Sequence, residues 1–252
     1  MSSKHKAATT NQPPQRFCCI PGAQSVPLIW SYDGESGPEH WGELHPSMKT
    51  CQTGQFQSPI DIQTQNLQPG SQGALLVDYQ EVDLVISFNG LTMQVDYPQG
   101  STLSVQGKVF ELLQFHLHTP SEHQFDSVPS AMEIHLVHIA EDGAVVVLAV
   151  MIDQGAENPA LKPLYDHFPH EHVVAQKVPG QRINAADLLP KDRGYYQYTG
   201  SLTMPPCTEE VSWNVFKTSI SVSESQLHQF DSILDHNCRP LQPLNGRVIT
   251  DN

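Results

Sequence analysis

The 252-residue chain carries 13 Lys+Arg against 27 Asp+Glu, a formal net charge of −14, together with 13 His. Binding nucleic acid or an anionic membrane requires a basic footprint, so both are excluded as the main business of this chain. With 38% hydrophobic residues it can bury a core, while 16% charged residues, 16 Gly and 20 Pro point to a turn-rich, strand-rich protein.

Residues 1–28 are polar and proline-bearing without periodicity and are expected to form a poorly ordered tail. Their basic start is not followed by an apolar block, so no secretory signal is visible, and no run approaches the roughly 18 apolar residues of a membrane span. A single domain spanning 29–252 is expected to follow, its packed part starting near Trp30, with short apolar runs separated by Gly, Pro, Asn and Asp. Leu112–His118 alternates, placing Leu113, Phe115 and Leu117 on one face and Gln114, His116 and His118 on the other. Met132–His138 alternates as well, with Glu133, His135 and Val137 sharing a face. Ala144–Ile152 is almost wholly apolar, as in a strand buried on both sides. Glu210–Phe216 brings Val211, Trp213 and Val215 together. A helix is expected after Ser223, which forms a capping box with Gln226 ahead of Leu227, Phe230, Ile233 and Leu234. These elements predict one mainly-β domain with few helices.

Two His-x-His pairs occur, His116/His118 and His170/His172, against about 0.6 expected by chance, so the spacing alone has little specificity. The first lies on a strand, where residues i and i+2 share a face, and the next strand brings His135 to the same side. Three imidazoles with one position left open form the donor set of a catalytic zinc site; the competing reading is a group of ordinary core or surface histidines. Gln114 and Glu133 share the faces of these histidines, where a polar side chain is costly unless paired, so each is a candidate partner for a second ring nitrogen. His170 and His172 fall in an irregular segment and are expected to be solvated. His138 and His123 lie off the metal face, and His123 fits a buried hydrogen-bonding role. The five cysteines, Cys18, Cys19, Cys51, Cys207 and Cys238, contain no Cys-x-x-Cys pair, which argues against cysteine-based zinc, and their odd number leaves at least one outside intramolecular pairing.

The runs Gln57–Ile62, Gln114–His123, Glu133–His138, Gly200–Cys207 and Asn237–Asn245 resemble, in order, the motifs of α-class carbonic anhydrases. The likeness extends from about Trp30 to Ile249, and Thr119-Pro120-Ser121-Glu122-His123 has the form of bacterial or algal members. The resemblance implies a strongly twisted, mostly antiparallel sheet of about ten strands with a few short peripheral helices. It also implies reversible hydration of carbon dioxide to bicarbonate and a proton through a zinc-held hydroxide. On this chain Zn2+ would be held by His116, His118 and His135, with Gln114, Glu133 and Asn237 supporting them. Thr203 would take the hydroxide's hydrogen bond and pass its own proton to Glu122, which orients the attack. Val137, Val146, Leu202, Val211 and Trp213 would form the carbon dioxide pocket, and Tyr32, Asn89, Gln94 and Met204 would line the wetter cleft.

Cys51 and Cys207 occupy positions resembling the disulfide of exported members, which implies a periplasmic or secreted protein; two reduced thiols in the cytoplasm are the alternative. Cys18 and Cys19 either join two chains into a homodimer or stay reduced. Two departures from the family pattern stand out. Leu91 occupies the position of the proton-shuttling histidine of fast members, which slows proton release, and Met204 replaces the hydroxyl usual after Thr203. A catalytically silent relative serving as a binding module is the alternative function, although such relatives usually lack a zinc histidine. A secreted adhesion-type β domain with incidental histidines would hold no stoichiometric zinc.

Overall fold

The fold is described from a computed structural model covering residues 29–71 and 73–252. The expected tail, with Cys18 and Cys19, lies outside the described residues. In chain order the first strands are β1 (Asp61–Ile62), β2 (Gln68–Pro69), β3 (Leu76–Asp78), β4 (Val82–Phe88), β5 (Met93–Asp96), β6 (Thr102–Val105) and β7 (Lys108–His118). Then come β8 (Gln124–Phe125), β9 (Val128–Pro129), β10 (Met132–Ile139), β11 (Val145–Gln154) and β12 (Val173–Ile183). The chain closes with β13 (Tyr195–Ser201), β14 (Glu209–Phe216), β15 (Ile220–Val222) and β16 (Thr250–Asp251). Helices are short: α1 (Trp41–Leu44), α2 (Thr50–Thr53), α3 (Lys162–Asp166) and α4 (Glu224–Leu234).

Thirteen strands form one sheet whose continuous path is β12-β4-β5-β7-β10-β11-β14-β13-β16-β2. Ten strands lie on that path, as the resemblance implies, and most pairs are antiparallel; β11–β14, β11–β15 and β16–β2 are parallel. The central strand β11 is buried from Val145 to Ile152, as expected for an apolar run covered on both faces. One face packs Leu84, Ile86, Phe115, Leu117, Ile134 and Leu148 into the larger core. The other packs Val137, Val147, Leu202, Val211, Trp213 and Val215 beside the polar site described below. Helix α4 has the expected capping box, in which Ser223 accepts from the Gln226 N–H and Gln226 reaches back to the Ser223 N–H.

The alternation expected in β7 fails at one residue. The β7–β10 register jumps between Val137 and His138, pairing Val137 with Gln114 but His138 with Leu112. Leu113 is the extra residue of this bulge and is only half-buried, so Leu112 joins Phe115 and Leu117 in the larger core in its place.

Past the bulge, His138 turns into the core, with Nε2 2.5 Å from the Tyr79 hydroxyl and Nδ1 3.3 Å from the Val146 carbonyl. Burial lowers the His138 pKa to about 3, partly opposed by the Val146 and Leu136 carbonyls. A histidine in the unfolded chain takes up its proton near pH 6.5. The buried neutral ring therefore contributes stability that is complete above about pH 6.5 and is lost as pH falls toward 3, by at most about 1.4 kcal/mol per pH unit. Urea unfolding of His138→Gln, which cannot ionise, should show a shallower loss of stability between pH 6 and 4 than the parent. Equal slopes would contradict this assignment.

Candidate metal centre

Strands β7 and β10 pair so that His116 faces His135 and His118 faces Glu133. Cross-strand partners share a face of the sheet, which gathers the three histidines on one side. The rings of His116 and His118 are 5.0 Å apart, those of His116 and His135 5.2 Å, and those of His118 and His135 4.6 Å. All three are at least 97% buried.

Each ring has one nitrogen anchored by the protein. His116 Nδ1 lies 2.8 Å from Gln114 Oε1, His118 Nδ1 2.7 Å from the Asn237 carbonyl, and His135 Nε2 2.8 Å from Glu133 Oε1. Three acceptors at these nitrogens make each of them the N–H and leave His116 Nε2, His118 Nε2 and His135 Nδ1 as lone pairs. His116 Nε2 and His118 Nε2 are buried with no hydrogen-bond partner, and ligand atoms of the three rings lie within 4.8 Å of one another. Buried, unpaired and convergent lone pairs suit a soft-to-borderline dication such as Zn2+. A second trio, His123, Glu133 and His135, is equally compact. It is a poorer donor set, because His123 Nδ1 and Nε2 are already engaged by Glu133 and the Tyr198 hydroxyl, both at 2.7 Å.

Electrostatics supports neutral rings. Burial lowers His116 well below the ordinary histidine value, with His118 and His135 adding to the effect. Burial lowers His118 to about 4 against the pull of the Asn237 carbonyl, and lowers His135 despite Glu133. For Glu133, burial pushes upward, but His123 and His135 overcome it and hold the carboxyl well below its usual range. Glu133 Oε2 also accepts the Glu122 and His123 N–H groups, both at 2.8 Å, so this buried charge is fully used.

Glu122 lies on the other side of the cluster, Oε2 being 3.4 Å from His118 Nε2 and 3.8 Å from His135 Nδ1. Its Oε1 accepts the Arg239 N–H at 2.8 Å. Burial raises its pKa to about 7, against the lowering effects of His135, the Thr203 hydroxyl and the Arg239 N–H. A dication among the three histidines would oppose this rise and keep the carboxylate ionised, ready to accept from Thr203. The Arg239 guanidinium in turn donates to Gln57 Oε1 and to the Ser58 and Cys51 carbonyls at 2.8–3.0 Å, which fixes the residue whose backbone N–H holds this carboxylate.

A small, mainly apolar pocket opens above the histidines, lined by His116, His135, Val137, Val147, Leu202, Thr203, Met204 and Trp213. Val146 is therefore misassigned in the sequence reading: it points into the larger core, and Val147 takes its place, because adjacent residues on a strand face opposite ways. Val211 packs in the same apolar cluster without lining the cavity. Asn89 and Gln94 are buried, and Gln94 is the cross-strand partner of His116. Leu91 and Tyr32 pack against the cluster that contains Trp30, Trp41, Cys51 and Cys207.

Cys51 and Cys207 are bonded to each other, with 5.0 Å between their Cα atoms. Cys207 ends the turn that carries Thr203, its N–H donating to the Met204 carbonyl at 2.9 Å. Cys238 is free, and burial pushes its thiol up to about 11. His170 and His172 are exposed and belong to no metal cluster among the described residues.

Sequence reasoning missed the chain Glu133–His123–Tyr198–Ser58, in which Tyr198 Oη lies 2.8 Å from Ser58 Oγ. Ser58 and His123 lie inside motifs already singled out, but partners up to 140 residues apart carry no local signal. It also missed the Thr92 hydroxyl donating to the Met204 sulfur at 3.6 Å.

The family model described as eukaryotic-type carbonic anhydrase matches residues 36–252. A carbonic anhydrase of Nostoc sp. is 39% identical over 237 residues, covering 93% of this chain and 90% of that protein. The structure of α-carbonic anhydrase from Thermovibrio ammonificans with the inhibitor sulfanilamide superposes with a TM-score of 0.83 at 40% identity, covering 88% of this chain and 98% of that one. Dioscorin DB3L of Dioscorea polystachya is 32% identical over 243 residues, covering 92% of this chain and 89% of that protein.

Proposed function

The chain belongs to the eukaryotic-type (α) carbonic anhydrase family, and from that premise we propose that it holds one Zn2+ on His116, His118 and His135 and hydrates carbon dioxide reversibly to bicarbonate and a proton. The observation that carries this reading is the set of three buried histidines whose anchored nitrogens leave convergent lone pairs beside the Thr203–Glu122 pair. Bound zinc would act as a Lewis acid that acidifies water to a pKa of about 7, a value taken from carbonic anhydrases generally. The protein supplies the rest. Glu122 fixes the Thr203 hydroxyl as its donor, so the Thr203 oxygen can only accept on its inner side and selects one orientation of the nucleophile. Val137, Val147, Leu202 and Trp213 offer an apolar wall to a small uncharged substrate and exclude competing water. Met204 adds no hydroxyl to that wall, which weakens contacts to bicarbonate and other anions.

Metal analysis tests the reading directly: one zinc per chain is expected, and hydration should disappear on chelation and return with zinc. Zinc without hydration, even with added buffer, would favour a silent binding module. The intact set of three histidines, Thr203 and Glu122 favours the enzyme.

Leucine at position 91 cannot carry a proton. Restoring a relay with Leu91→His is expected to raise turnover in weak buffer by about tenfold or more, leaving kcat/KM unchanged, because only proton export is altered. No gain in stopped-flow turnover would show that Leu91 is not the limiting position. The Cys51–Cys207 bridge suits an oxidising compartment, periplasmic or extracellular, and residues 29–252 then constitute the catalytic domain. Mass measurement after alkylation, with and without reductant, would identify the bridge and any Cys18/Cys19-linked homodimer.

A further inference from the structure

We propose that Asp96 is the proton-relay residue of this cleft, taking the role that Leu91 cannot fill. The proposal rests on the carbonic anhydrase reading. The register carries the argument: Gln94 faces His116 across β5–β7, and Asp96 faces Gln114, so both β5 side chains lie on the face that holds the metal ligands. Val95 between them faces Phe115 and goes into the larger core. Residues 94 and 96 are about 7 Å apart along the strand, so Asp96 lies one same-face step along β5 from the residue that faces His116.

Two side chains hold the Asp96 carboxylate in place. Ser87 Oγ donates to Asp96 Oδ2 at 2.9 Å, and the Gln94 amide donates to Oδ1. Ser87 faces Gln94 across β4–β5, so β4 contributes to the same lane. Asp96 is half-buried, so solvent reaches it. Asn89, two residues beyond Ser87, is buried with Nδ2 unpaired by protein, an arrangement that donates to cleft water. Ser87, Asn89, Gln94 and Gln114 are polar but do not ionise at neutral pH, so among these five side chains Asp96 is the one that can take up a proton. The proton released in hydration would pass through water to the Asp96 carboxylate, form its carboxylic acid, and leave to buffer, restoring the carboxylate. An aspartate is a weaker acceptor than an imidazole at neutral pH, so this route sustains turnover without matching that of a histidine relay.

The test is Asp96→Asn in the zinc-loaded full chain. In weak buffer kcat should fall about tenfold, kcat/KM should stay within about twofold, and imidazole should restore the parent rate. A readout independent of turnover is the visible spectrum of the cobalt-substituted protein. Removing one negative charge from the lane beside the ligand row should lower the pH midpoint of its spectral transition by a few tenths of a unit. Asp96→His should exceed the parent in weak buffer. Parental kcat in Asp96→Asn, or an unmoved cobalt midpoint, would overturn the relay while leaving the enzyme reading intact. Absence of hydration in the parent protein itself would overturn both.

Discussion

Replacing His135 with alanine is expected to abolish stoichiometric zinc and hydration together while leaving the sheet folded. The ring contributes one of three lone pairs, and a two-histidine remnant cannot close a site with one open position. His135 is anchored by Glu133, which His123 and two backbone N–H groups also engage, so the local backbone keeps its ties when the ring is lost. Glu133→Gln should act more mildly, weakening zinc by about 10–100-fold, because it disturbs the tautomer and aim of His135 without removing a ligand. Zinc content after dialysis separates the two. Parental zinc in His135→Ala, with circular dichroism showing an intact fold, would assign the metal to other residues.

The second large effect is on stability. Cys51 and Cys207 are separated by 156 residues, so their bond restricts most of the unfolded chain. Loop-closure entropy puts the upper contribution at about 5 kcal/mol, and measured values for native bridges fall at about 2–5 kcal/mol. For a domain of this size, a loss of about 3 kcal/mol corresponds to a fall in melting temperature of about 6–12 °C. Cys51→Ser/Cys207→Ser should show that fall in calorimetry. Activity should suffer as well, because Cys207 closes the turn that carries Thr203, and the Cys51 carbonyl holds Arg239 behind Glu122. An unchanged melting temperature would mean that the unfolded chain is already compact around this loop.

Much of this site was legible because its chemistry is local in sequence. His116 and His118 are two residues apart on one strand, Gln114 and Glu133 are each two residues from the histidine they anchor, and period-two geometry does the rest. The five ordered motifs then supplied the partners no local pattern encodes, Thr203 with Glu122 and Asn237 with His118. Where reasoning failed, strand parity failed. Val147 lines the cavity in place of the expected Val146, and a wholly apolar strand gives no alternation to say which of the two faces it. Leu113 leaves the face it is expected to share with Phe115 and Leu117 because the bulge opposite Val137/His138 leaves no mark in the sequence. Contacts between distant segments, such as Arg239 with Cys51 and Tyr198 with His123, arise only when the sheet assembles.

Stopped-flow hydration of carbon dioxide by the zinc-loaded chain at increasing imidazole tests the central claim most directly. A catalytic rate that rises with imidazole and then levels off, at constant kcat/KM, is expected of a zinc hydratase whose turnover waits on proton export past Leu91. A zinc-loaded chain that hydrates no faster than buffer at any imidazole concentration would contradict it.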